Sequence, residues 1–216
     1  MRPGLVIFDC DGVLVDTEEP ANRRLSQWLT EAGYEVSYEE CRSRFCGRTM
    51  PSVRDEVEAA GVALGADFVE RWNGGLPDLF ARGVAEIPHV RTMLETVRSA
   101  GLPYCVASSA RETKMRLTLG LTGLLPLFEH ALFSATMVAR GKPFPDLFLH
   151  AASTMGFAPG DCVVVEDSVA GTVAGVAAGM RVYAYCGDPH ADRAALVAAG
   201  GILVGDMREL AGMILA

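Results

Sequence analysis

The chain opens on a short apolar run, Leu5-Val6-Ile7-Phe8, followed at once by the polar break Asp9-Cys10-Asp11-Gly12. A brief run rich in β-branched residues reads as a strand buried on both faces. From Thr17 the spacing turns helical. Thr17 stands as a cap, Glu18, Glu19 and Pro20 suit a first turn, and Leu25, Trp28, Leu29 and Ala32 share one face before Gly33. Ser37 and Glu40 have the spacing of a capping box. Pro51 opens a helix with Val53, Val57 and Ala60 on one side, and residues 67–72 and 76–81 read as two short helical pieces. No strand is expected between residues 16 and 84.

From Pro88 onward strands and helices alternate. Helices are expected near 90–97, 111–119, 146–155 and 169–178, and strands at 103–107, 131–133, 162–165, 181–185 and 202–204. That rhythm implies an α/β fold with a parallel sheet covered by helices on both faces. The helical block interrupts it after the first strand. The expected domains are therefore 1–15 with 85–216, and an inserted 16–84 placed to act as a lid.

Composition narrows the function. The formal net charge of −8 argues against a nucleic-acid partner, which needs a basic footprint. No apolar run is long enough to span a bilayer. The six cysteines form no C-x-x-C pair, and Cys41 and Cys46 have no zinc-ligand spacing, so reduced thiols in a cytoplasmic setting are expected.

Polar residues stand at or near the ends of successive strands: Asp9 and Asp11, Ser108 with Ser109, Lys142, and Glu166 with Asp167. In a parallel sheet such ends converge on one site. Several carboxylates at one point repel each other, and a divalent cation with a lysine relieves that conflict. Mg²⁺ takes oxygen ligands and keeps waters, which suits a few carboxylates plus a phosphate. The chain has only two lysines, Lys114 and Lys142, and Lys142 lies in the proline-stiffened Gly141-Lys142-Pro143-Phe144-Pro145. A plain surface lysine is the other reading of Lys142, and a plain helix cap the other reading of Ser108.

These residues resemble the four motifs of the haloacid dehalogenase superfamily of phosphotransferases. Asp9-Cys10-Asp11-Gly12 is similar to the first, Ser108 to the second, Lys142 to the third, and Glu166-Asp167-Ser168 with Gly171 to the fourth. The resemblance implies a Rossmann-like core with an inserted four-helix cap, as in the subgroup of β-phosphoglucomutase and phosphoglycolate phosphatase. It further implies Asp9 as nucleophile through an aspartyl phosphate and Asp11 as general acid and base. Mg²⁺ would be held by Asp9, the Asp11 carbonyl and Asp167, with Glu166 in support. Ser108, Ser109 and Lys142 would bind the phosphoryl group, and the Lys142-Pro143 bond would be cis.

Within that superfamily, Asp11 argues against the metal-free dehalogenases. The absence of lysine from 16–84 argues against a Schiff-base phosphonatase, and the absence of histidine there weakens the mutase reading. The expected activity is hydrolysis of a small organic phosphate monoester, a sugar phosphate foremost. A phosphomutase of the β-phosphoglucomutase type is the alternative, and a phospho-accepting or phosphate-binding protein a third reading. Glu18 and Arg48 are the candidate substrate contacts of the insert; helix-start and surface charges are their other readings. Phe45 and Trp72 read as core of the insert, and a monomer is expected.

Overall fold

The computed structural model describes residues 2–45, 48, 50–128 and 130–216. The chain divides into two compact units, Met1–Asp16 with Ala85–Ala216, and Thr17–Val84.

The first unit begins with β1 (Leu5–Phe8) and the two-residue β2 (Val15–Asp16). The second holds α1 (Glu18–Glu31), α2 (Tyr38–Phe45), α3 (Met50–Ala59) and α4 (Phe68–Ala81). The first unit then resumes with β3 (Ala85–Glu86), α5 (Val90–Ser99), β4 (Tyr104–Ser108), α6 (Glu112–Leu121), α7 (Leu125–Phe128) and β5 (Leu132–Ser134). It closes with α8 (Asp146–Met155), β6 (Cys162–Glu166), α9 (Val169–Ala177), β7 (Arg181–Tyr185), α10 (Arg193–Ala198), β8 (Ile202–Val204) and α11 (Met207–Leu215).

Six strands form a parallel sheet in the order β5-β4-β1-β6-β7-β8. The chain builds outward from β1 on one side and then returns to build on the other. Ligands in such sheets sit at the carboxyl ends where the order reverses. Phe8 is in register with Val106 on β4 and Val165 on β6, so these strands end close to one row. All four residues of β1 are fully buried, as a central parallel strand requires. Leu5 and Ile7 pack with Cys105, Val164, Leu147 of α8 and Ala174 of α9. Phe8, one step out of phase, meets Tyr104 and Phe128 edge to face.

β2 and β3 pair antiparallel where the chain leaves and re-enters this unit, a two-residue contact with no periodicity to announce it. The helical unit is built around Leu25, Leu29, Cys41, Phe45, Val53, Val57, Phe68 and Trp72. The Ser37–Glu40 capping box forms, with Glu40 N–H donating to Ser37 Oγ at 3.2 Å and Ser37 N–H to Glu40 Oε2 at 2.9 Å. Thr17 precedes α1 but makes no side-chain capping bond. Phe68–Ala81 form one helix rather than two pieces, with Pro77 inside it. An interior proline costs about 3 kcal/mol; the burial of Phe68, Trp72 and Phe80 along α4 offsets it. Trp28 is half-buried, edge to face with Phe68 and Trp72.

Cys10, Cys41, Cys105, Cys162 and Cys186 are buried free thiols; Cys46, Gly47 and Thr49 lie outside the described residues. No described helix is long and apolar enough to cross a membrane.

Candidate active site

β1 delivers Asp9 to the carboxyl end of the central strand, where its N–H donates to Val165 O at 2.9 Å. The chain then reverses sharply. Leu14 N–H and Val15 N–H donate to Cys10 O at 2.9 and 3.1 Å, and Gly12 N–H donates to Val15 O at 2.8 Å. Gly12 has φ +80°, and a Cβ there would lie 2.0 Å from Asp167 Oδ2. Both the left-handed backbone and the approach of Asp167 require glycine.

Lys142 follows Gly141 in the loop before α8, and the Lys142-Pro143 bond is cis. Its side chain is only 4% exposed, and its ammonium donates to Asp9 Oδ1 and to Glu166 Oε1, each at 2.5 Å. The ammonium also lies 4.9 Å from the ring centre of Phe148. Lys142 is therefore a buried bridge between two carboxylates, not a surface lysine. Glu166, the last residue of β6, is held from its other oxygen. Ser168 N–H and Oγ–H both donate to Oε2 at 2.8 Å. Ser168 Oγ in turn accepts from Gly171 N–H at 3.0 Å, capping α9.

Ser108 ends β4 and is buried. It does not cap α6, whose cap position is Arg111. Its Oγ instead accepts from Ala110 N–H at 3.1 Å. Ser134, paired with Ser108 in the sheet, donates from Oγ to Ala110 O at 2.8 Å. Two serines thus hold the peptide groups of one loop residue, and Ser109 is exposed in the bend between them. Ser134 is absent from the sequence reading because nothing in its spacing distinguishes it.

Lys114 is the other residue that sequence reasoning passed over. It lies in the first turn of α6, and its ammonium donates to Asp11 Oδ2 at 2.8 Å. Both lysines of the chain therefore pair with an aspartate of the Asp9-Cys10-Asp11 turn. Their rarity was the available signal.

The electrostatics follow from this crowding. The Asp9 carboxyl is raised to about 7, foremost by burial, with Glu166 and Asp11 raising it as well and Lys142 holding it down. Burial alone would lower Lys142, but Asp9 and Glu166 more than offset that and hold its ammonium well above the ordinary value.

One buried lysine does not balance the acids around Asp9. The Asp9 carboxylate, the Asp11 main-chain carbonyl and Asp167, which approaches Gly12, would offer hard, anionic oxygen donors. That chemistry fits a divalent cation such as Mg²⁺, which retains waters. Among the described residues, no group of three or more His, Cys, Asp or Glu side chains is arranged around a shared point; the candidate set has two carboxylates and a carbonyl.

Glu18 and Arg48 belong to the helical unit, and each has local partners. Asn22 Nδ2 donates to Glu18 Oε2 at 3.0 Å. Arg48 donates to Ser52 Oγ and pairs with Glu56.

Comparison with known proteins agrees with this architecture. Haloacid dehalogenase-like hydrolases match residues 6–185. The 6-phosphogluconate phosphatase of Escherichia coli K12 is 35% identical over 187 residues, 86% of this chain and 83% of that one. Hexitol phosphatase A of the same organism is 32% identical over 186 residues, 85% and 83% of the two chains. The structure of a haloacid dehalogenase family hydrolase from Deinococcus radiodurans R1, with bound phosphate and sodium, superposes with a TM-score of 0.86. It is 31% identical and covers 98% of this chain and 97% of that one. With its parallel sheet and its paired lysines and acids at the carboxyl end of the central strand, the chain belongs to the haloacid dehalogenase-like hydrolases.

Proposed function

We propose that this hydrolase is a phosphatase of small organic phosphate monoesters, a sugar phosphate foremost, and that it depends on a divalent cation. The observation that carries the reading is the Lys142 ammonium held between Asp9 and Glu166 at 2.5 Å each, in a buried site. A nucleophilic carboxylate beside a fixed cation suits attack on a phosphoryl group, whose catalysis is mainly positioning and charge stabilisation. The similarity to two enzymes named as phosphatases of phosphorylated sugar derivatives supports the substrate class.

In this reading an Asp9 carboxylate oxygen attacks phosphorus and the bond from phosphorus to the ester oxygen breaks. Asp11 gives a proton to the departing alcohol. A water then attacks phosphorus, its proton passes to Asp11, and the bond to Asp9 breaks to release inorganic phosphate. Lys142, Ser108 and Ser109 hold the phosphoryl oxygens. Asp9, the Asp11 carbonyl and Asp167 would hold the divalent cation, which when bound would supply further positive charge to those oxygens, with Glu166 in support through its contact with Lys142. Substrate choice is assigned to the helical segment, with Glu18 and Arg48 the first residues to vary.

The test is phosphate release from sugar phosphates, hexitol phosphates, 6-phosphogluconate and p-nitrophenyl phosphate, with Mg²⁺ and with EDTA, beside Asp9→Asn. Release that needs the metal and is lost in Asp9→Asn is expected. No release above the Asp9→Asn level from any ester overturns the reading. Exchange between isomeric sugar phosphates on addition of a bisphosphate would make the enzyme a mutase.

A further inference from the structure

We propose that Lys114 is a positioning residue for the Asp11 carboxyl, and so for proton transfer to the leaving alcohol. This rests on the role given to Asp11 above. The contact joins residues 103 positions apart, at 2.8 Å. Its side chains are 30% and 22% exposed, so water is only partly excluded. A pair in that setting holds geometry better than it stabilises the fold.

The need for positioning comes from the turn. Main-chain hydrogen bonds from Gly12, Leu14 and Val15 fix the backbone on either side of Asp11. They do not fix its side-chain torsions. A proton donor that acts on one oxygen of a bound ester must be held within a fraction of an ångström. Anchoring Oδ2 to an ammonium selects one orientation of the carboxyl before the substrate arrives.

The source of the ammonium matters as well. Lys114 stands in the first turn of α6, whose start follows directly from the loop after Ser108. Its carbonyl accepts from Thr118 Oγ1 at 3.1 Å, one turn on. One strand-loop-helix segment thus carries both a candidate phosphate contact and the anchor for the proton donor. The chain uses lysine only here and at Lys142, among 19 basic residues.

The experiment compares kcat/KM of wild type, Lys114→Met and Lys114→Arg along a series of leaving groups: p-nitrophenyl phosphate, phenyl phosphate and the best sugar phosphate. p-Nitrophenolate leaves without a proton, phenolate needs one more, and a sugar alkoxide needs one most. The expected loss in Lys114→Met therefore grows along the series, from about threefold on the first to about a hundredfold on the last, in line with general acid catalysis. Lys114→Arg keeps the cation and restores activity to within about fivefold on all three. Equal losses on all three, or none on any, overturn the proposal and leave the phosphatase reading standing. A loss on the sugar phosphate carried wholly in KM also overturns it, by making Lys114 a substrate contact. Wild type without activity on any ester overturns both.

Discussion

Gly171 stands where any side chain would collide with Glu166: a Cβ at this position would lie 1.9 Å from Oε1. That oxygen is the one that accepts from Lys142. A glycine in α9 therefore governs the placement of a carboxylate on β6 and, through it, of the ammonium beside Asp9. Gly171→Ala is expected to cost roughly 1–3 kcal/mol of stability through overpacking and to lower kcat at least tenfold. Gly160→Ala, where a Cβ meets nothing within 4 Å, is the control and should leave both unchanged. Denaturant melts and phosphate release on the two variants check this.

Lys142→Met should be more damaging. Removing one partner of a buried ion pair typically costs about 3–5 kcal/mol, because the other charge stays buried. Here two carboxylates would lose their shared ammonium. Activity is expected to fall by more than a hundredfold, and Lys142→Arg should not restore it, since a planar guanidinium does not fit a slot shaped for a point charge. Urea unfolding and kcat on the two variants provide the measurement.

Ser134 offers a subtler case. It is fully buried and ties the Ala110 carbonyl, while Ser108 takes the Ala110 N–H. Ser134→Ala leaves that carbonyl without its hydroxyl donor, at a cost of about 1–3 kcal/mol. The loop that carries Ser109 should loosen, raising KM roughly tenfold with a smaller change in kcat. An unchanged KM would confine Ser134 to the fold.

Asp206 gives a prediction in pH. It caps α11, accepting from Arg208 N–H at 2.8 Å. The Arg208 guanidinium, together with that N–H, holds its carboxyl down to about 2. A depressed carboxyl contributes stability above its unfolded value, near 4, and loses it as the pH falls towards the folded value. Asp206→Ala should therefore melt below wild type at pH 7, and the gap should narrow from pH 4 downward. Thermal melts between pH 7 and pH 3 test it; a constant gap would contradict the assignment.

The elements legible in the sequence were those that strong local patterns specify. The helix at Asp146–Met155 and the strand at Arg181–Tyr185 match their expected bounds residue for residue, because buried apolar runs and clear stops enclose both. The helices at Arg193–Ala198 and Met207–Leu215 were not read. Their alanine-rich or short patterns resemble loop as much as helix. Gly74, Gly75 and Pro77 interrupt the helical pattern between the pieces at 67–72 and 76–81, and tertiary packing overrides them. At the site, Asp9, Lys142 and Glu166 could be anticipated from strand ends and from the motif resemblance. Lys114 offers only its rarity as a signal and Ser134 none, because their meanings depend on pairings between distant strands and helices that spacing alone does not encode.

The placement of both lysines has a practical corollary. All side-chain amines of this protein lie in the candidate site, one of them buried and one partly open to solvent. Between the two lysine amines, reagents that acylate lysine, and coupling chemistries that tether proteins through it, would meet Lys114 before the buried Lys142. Immobilisation or labelling at Lys114 would then be expected to cost activity, whereas the arginine side chains would be left untouched. Protection of Lys114 from acylation by an added phosphate ester would then report occupancy of the candidate site.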